Sequence, residues 1–305
     1  MPTTTRGPLT LHWDETGPAS GPPILLVMGL GAQMIAWRPG FVDLLVGQGY
    51  RVIRFDNRDC GLSGTLDHPV PAIGDLARIV LRGDRDAAPY LLRDMAQDAV
   101  AVLDAAGVDA AHVVGASMGG MIAQQLAIDA PARVRSLTSI MSRPGSRRAG
   151  LPTAQIARIV VTPAPAGRDG QLAHELARQE AIGGPLFDRA AMASFLEESY
   201  ERNPDRTGTP RQLAAILASP DRSPGLRSLR TPSLVIHGRQ DRLVRPSGGH
   251  ATARAIPGSE LLIVDRMGHD LPIPLWPMLT DAIGGHIRRA ERSISNGVRS
   301  GGHSA

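Results

Sequence analysis

The segment Gly115-Ala116-Ser117-Met118-Gly119 has the pattern G-x-S-x-G and constrains the backbone more than any other stretch of this chain. It follows the apolar run Ala111-His112-Val113-Val114, which reads as a buried strand, and precedes residues 120–128, whose apolar spacing is helical. Strand, tight turn with serine at its tip, then helix is the arrangement that lifts a serine hydroxyl above the end of a sheet as a nucleophile. The flanking glycines have a steric task. A side chain on either flank of so sharp a turn would collide with the neighbouring strand or helix.

Around this motif, short apolar runs alternate with helical spacing. Strands are predicted at 9–14, 24–28, 51–55, 111–114, 135–141, 231–238 and 260–264, and helices at 41–46, 92–106 and 275–289. Continuous runs such as Ile24-Leu25-Leu26-Val27-Met28 mark strands buried on both faces. The expected architecture is α/β, a mostly parallel, doubly wound sheet. From Ser142 to about Leu226 the chain is rich in Ala, Arg and Pro, with helical spacing and no strand signal. The expected organisation is a core from residues 1–142 and 227–292, a helical insertion over 143–226, and a disordered Gly/Ser-rich tail over 293–305.

All 33 basic residues are arginine, yet the net charge is only +4, and acidic residues are interleaved with them. That pattern reads as a solvated surface and argues against a nucleic-acid footprint, while leaving room for peripheral contact with anionic lipid. Cys60 is the one cysteine, so no intramolecular disulfide can form. Residues 1–10 have no apolar leader and no stretch approaches a membrane span, so a cytoplasmic protein is expected.

A serine hydroxyl needs a base, and the base needs an orienting acid. In a strand-turn-helix site of this kind the chain order is Ser, Asp or Glu, then His. His12, His68 and His112 precede the serine. His269 follows the strand at 260–264 by a short loop, at the sheet edge where open α/β sheets gather catalytic groups, and is the expected base. Asp241, beyond the strand at 231–238, is placed on the same edge and is the expected acid. Asp265 and Asp270 are nearer in sequence, but neighbours on one tight loop usually point elsewhere. The two backbone N–H donors of an oxyanion hole are assigned to Met118 and to Leu30, in the loop after the first buried run.

Three further segments carry a family likeness: the D-x-R-x-x-G-x-S loop Asp56-Asn57-Arg58-Asp59-Cys60-Gly61-Leu62-Ser63, the loop Val27-Met28-Gly29-Leu30-Gly31-Ala32, and Met267-Gly268-His269-Asp270-Leu271-Pro272. With the G-x-S-x-G turn they make the chain resemble the α/β-hydrolase superfamily from about residue 9 to 289, most nearly its lipase-G-type carboxylesterases and more distantly the aclacinomycin methylesterase of polyketide tailoring. The resemblance implies an α/β-hydrolase fold with a helical cap over 143–226. It implies ester hydrolysis by Ser117, Asp241 and His269, with no metal or organic cofactor and a small-molecule ester as partner. Met28 stands where the commoner pattern has a histidine, and so removes a side chain that often props the oxyanion loop. Met192, Phe195, Leu196 and Leu213 of the cap are candidates to line a substrate pocket. The same triad could serve a thioester, a lipid ester, an amide or a perhydrolysis reaction, and the fold can also serve as a ligand-binding receptor. Oligomeric state is not encoded in any pattern found.

Overall fold

The computed structural model describes residues 2–301. Eight strands form one sheet in the order β1-β2-β4-β3-β5-β6-β7-β8, with β1 (Thr3–Arg6), β2 (Leu9–Thr16), β3 (Pro23–Val27), β4 (Arg51–Phe55), β5 (Ala111–Ala116), β6 (Val134–Ile140), β7 (Ser233–Gly238) and β8 (Glu260–Val264). β1 and β2 run antiparallel, and every pairing from β4 to β8 is parallel. This is the α/β-hydrolase fold anticipated above.

The alternation of side chains along the central strands divides the core in two. Leu25 and Val27 of β3 and Val113 of β5 face one cluster, whereas Ile24, Leu26, Val114 and Ala116 face the other. The first cluster is completed by α3 (Leu92–Ala105) and α4 (Met118–Asp129), the second by α1 (Pro39–Val46) and α11 (Trp276–Gly301). A strand covered on both sides carries no polar face, hence the unbroken apolar runs in the sequence. Buried inside the first layer, Arg58 makes a two-pronged pair with Asp98, at 2.5 and 2.7 Å, so neither charge is left without a partner.

Between β4 and α3 lies α2 (Ile73–Arg82), which sequence periodicity did not reveal. It starts where the Asp75 carboxylate accepts the Ala72 N–H and stops at Gly83 in the left-handed region, φ 68°. It buries Ile79 but leaves Val80 and Leu81 exposed, and Arg78 pairs with Asp75 and Asp84. No helix among the described residues is long and apolar enough to cross a membrane.

Residues 143–226 hold α5 (Ala154–Val161), α6 (Arg168–Ile182), α7 (Arg189–Arg202), α8 (Gly208–Ala218) and most of α9 (Ser223–Arg227). The connection from β7 to β8 contains α10 (Ser247–Ala255). The segment expected from residue 293 to be a disordered tail begins inside α11. α11 runs unbroken to Gly301, because residues 290–301 contain no proline and each residue can continue the i to i−4 ladder; Ser293 and Ser295 hydroxyls bond back to the carbonyls of Arg289 and Glu291. Residues 302–305 lie outside the described residues.

Candidate active site

The turn between β5 and α4 is as tight as its glycines require. Ser117 sits at φ 55°, ψ −118°, a strained backbone for a residue with a side chain. A Cβ on Gly115 would overlap the Gly119 carbonyl, and one on Gly119 would overlap the carbonyl of Val27 in β3. Only glycine lets the helix start this close to the sheet, and that closeness aims the serine out of the strand end.

The β8–α11 loop brings His269 to this point. Its Nε2 lies 2.9 Å from Ser117 Oγ, and its Nδ1 lies 2.7 Å from Asp241 Oδ2. Asp241 reaches the ring from the end of β7. Its other oxygen accepts the N–H groups of Leu243 and Val244, at 2.9 and 2.8 Å, which fixes the carboxylate plane. Burial pushes the Asp241 pKa up, but His269 and His237, by charge and hydrogen bond, outweigh it and hold the carboxyl below its ordinary range. It is therefore ionised at neutral pH and favours the tautomer in which His269 carries hydrogen on Nδ1 and a lone pair toward Ser117.

Met118 follows the serine directly, and Leu30 follows Gly29 in the loop after β3. The Gly29 Cα is so close that a Cβ there would stand 3.2 Å from Ser117 Cβ and 3.7 Å from its Oγ. Among the described residues neither the Leu30 nor the Met118 N–H meets a protein acceptor. Two N–H donors without a protein acceptor, one on the residue after Ser117 and one on the residue after Gly29, suit a developing negative charge. No group of three or more His, Cys, Asp or Glu among the described residues could hold a metal ion. Cys60, near the D-x-R loop, is buried, and burial pushes its thiol up to about 12, which keeps it unreactive.

A family model described as the alpha/beta hydrolase fold matches residues 22–274. The chain belongs to the α/β-hydrolase family. Among curated relatives, it is 29% identical to rhodomycin D methylesterase of Streptomyces sp. strain C5, over 95% of this chain and 99% of that protein. It has the same identity and coverage with rhodomycin D methylesterase of Streptomyces peucetius. Among solved structures, the enol-lactonase from Burkholderia xenovorans LB400 superimposes with a TM-score of 0.72 at 19% identity, over 94% of this chain and 100% of that one, a likeness of fold.

In this α/β hydrolase the serine and histidine open onto a cavity of about 580 Å³. Met192 and Phe195, on one side of α7, line it, and Val160, Leu186 and Phe187 join them from the cap. Leu196 and Leu213 do not. Leu196 is one residue past Phe195, about 100° round the helix, and is buried on another face. Leu213 belongs to α8, which packs on α2 through Ala214 and Ala218 rather than over the cavity. Five of the chain's ten aromatic residues (Trp37, Phe41, Phe187, Phe195 and Trp276) line this one space. Of these, Trp37 and Phe41 are fully buried in the core behind the cavity wall, and Phe187, Phe195 and Trp276 are the rings that remain partly exposed.

Several residues at the site left no trace in sequence periodicity. Asp270 accepts N–H groups from Gly268, at 2.9 Å, and from Gly184 of the cap, at 3.2 Å. Its pKa is raised, with burial the largest cause. Arg202 on α7 pairs with Asp56 at 2.7 Å and donates to Gln33 at 2.7 Å, joining cap to core. Gln212 on α8 accepts from Gly31 N–H. Asn57, inside the D-x-R loop, could have been singled out by its place in that motif; the cap residues are brought in only by tertiary folding.

Proposed function

We propose that this protein is a serine carboxylic-ester hydrolase acting on apolar esters of small to medium size. The observation that carries the reading is His269 bridging Ser117 and Asp241 at 2.9 and 2.7 Å in the productive order. Ser117 Oγ attacks the ester carbonyl as its proton passes to His269 Nε2. Leu30 and Met118 N–H groups receive the oxyanion of the tetrahedral intermediate. His269 gives the proton to the departing alcohol, leaving an acyl-Ser117. Water then attacks that acyl group with His269 as base, and the carboxylic acid leaves. Asp241 keeps the imidazole oriented and offsets its positive charge in both halves of the reaction.

The test is release of p-nitrophenol from acyl esters of two to sixteen carbons by wild type and Ser117→Ala. Turnover that depends on Ser117 supports the reading. Absence of turnover at every length rejects it for these esters and favours a receptor-like role. Widening the cavity with Met192→Ala or Phe195→Ala shifts the preferred acyl group to a larger one.

A second reading, removal of a methyl ester from a ring system, is favoured by the aromatic lining and by full-length likeness to proteins named as rhodomycin D methylesterases. Methanol release from a polycyclic aromatic methyl ester, faster than from an aliphatic one of equal size, supports it; the reverse order rejects it.

A further inference from the structure

The loop that offers the Leu30 N–H is held in three places. Asn57 Nδ2 donates to the Met28 carbonyl at 2.8 Å, before Gly29. The Gly29 carbonyl accepts from Ala32 N–H at 3.3 Å, closing a turn. The Gly31 N–H donates to Gln212 Oε1 at 2.8 Å, after Leu30. The Gly29–Leu30 peptide carries its C=O and N–H in opposite directions, so pinning the Gly29 oxygen into the turn turns the Leu30 N–H outward. Glycines at 29 and 31 make such a loop easy to reorient, and Gly31 already occupies φ +65°. Something must therefore hold its flanks, and Met28 offers no polar side chain to do so.

Gln212 is built for that task. It is fully buried, and its amide has one workable orientation, because Nε2 donates to the Arg58 carbonyl at 2.7 Å while Oε1 faces the Gly31 donor. A flipped amide would set donor against donor and acceptor against acceptor. Its helix also lies directly on the loop: a Cβ on Gly31 would meet Thr209 at the start of α8. Asn57 is buried as well, and its Nδ2 must be the end that faces Met28, since the Met28 carbonyl can only accept; its Oδ1 has no partner among the described residues.

We propose that Gln212, supplied by the cap, and Asn57, supplied by the D-x-R loop, are positioning residues that hold the oxyanion loop with Leu30 N–H facing the serine. This rests on the serine-hydrolase reading above. The role missing at Met28 is thereby met from two other elements, and docking of α8 onto the core becomes a condition for efficient turnover.

The test compares wild type, Gln212→Met and Asn57→Ala in p-nitrophenyl ester hydrolysis, with thermal melting of each. Loss of an oxyanion donor costs about 10²- to 10³-fold in kcat; a donor present but badly held should cost about 10- to 100-fold, with KM within about threefold of wild type. Inhibition by a trifluoromethyl ketone, whose tetrahedral adduct needs the hole, should weaken by the same factor, while inhibition by an uncharged hydrocarbon of the same chain length, which fills the cavity and carries no oxygen, stays unchanged. Equal loss of both inhibitors, or kcat within threefold of wild type in a variant that melts normally, overturns the proposal. If Gln212→Met does not fold, Asn57→Ala decides by the same criteria. Wild type without Ser117-dependent turnover is a different failure: it removes the underlying reading, and this inference with it.

Discussion

The backbone N–H of His269 donates to the carbonyl of Ile182 at 2.9 Å. Ile182 is the last residue of α6, so the base candidate is held by the cap as well as by its own loop. Two residues on, Gly184 lies so close to Gly268 that a Cβ on either would overlap the other's backbone. Asp270 ties the contact together by accepting from both Gly184 and Gly268.

Replacing Asp270 with Ala leaves those two N–H groups without an acceptor, at about 1–3 kcal/mol each if both stay buried. We expect Asp270→Ala to lower stability in urea by a few kcal/mol and kcat by about tenfold as His269 loosens. Wild-type kcat and midpoint together would show that this contact between cap and loop is dispensable.

Asp241→Asn tests the tautomer argument. Asparagine can still accept from Leu243 and Val244 through one oxygen, but then its NH₂ faces His269 Nδ1. That forces hydrogen onto Nε2, toward Ser117, where the ring can no longer take a proton. The expected fall in kcat is on the order of 10⁴-fold with melting little changed. A fall below tenfold would contradict Asp241 as the orienting acid.

Two glycine substitutions should move stability in opposite directions. Gly119→Ala drives a methyl group into the Val27 carbonyl, and we expect a loss of more than about 3 kcal/mol or failure to fold. Gly74, in α2, has no atom within reach of a new Cβ, so Gly74→Ala should stabilise by up to about 1 kcal/mol through helix propensity. Equal midpoints in urea for the two variants would contradict this account of the elbow.

Buried histidines should make the fold acid-sensitive. Burial, then the charges of Arg135 and His286, push His112 down to about 3, and burial is likewise the main cause lowering His286. In the unfolded chain both rings take up a proton near pH 6.5. Below that pH the unfolded state binds more protons than the folded one, so stability falls with pH, until about 3 for His112. One such group contributes up to about 1.4 kcal/mol per pH unit. Unfolding free energies of wild type and His112→Asn between pH 7.5 and 4.5 should diverge, the variant having the shallower slope. Parallel curves would mean that His112 is not held neutral.

Strands buried on both faces were legible because the two cores on either side of the sheet remove every reason for polar alternation. The run at 51–55 matches β4 residue for residue; the run at 260–264 matches β8 as well, although its edge position leaves Glu260 and Leu261 exposed. β1 was not legible: Thr3–Arg6 is a polar edge strand held by pairing with β2, and pairing leaves no mark on hydropathy. α2 was missed because its one buried side chain, Ile79, sits among exposed apolar neighbours. In the cap, helical spacing marked α7 but not its phase. Met192 and Phe195 face the cavity, while Leu196, equally apolar, turns away.

By itself the sequence determined the parallel α/β sheet, the serine at the elbow, and the order in which an acid and a base follow it. These depend on neighbours along the chain: glycines that permit a turn, apolar runs that become strands, and loops at strand ends. The tertiary structure alone decided what meets the site from a distance. Gln212 reaches Gly31 across 181 residues, Ile182 holds His269, and aromatic rings from the cap and from the core meet at one cavity. Such contacts depend on how the helical insertion docks on the sheet. That docking is set by the summed shape and polarity of many surfaces, which no local pattern of residues encodes.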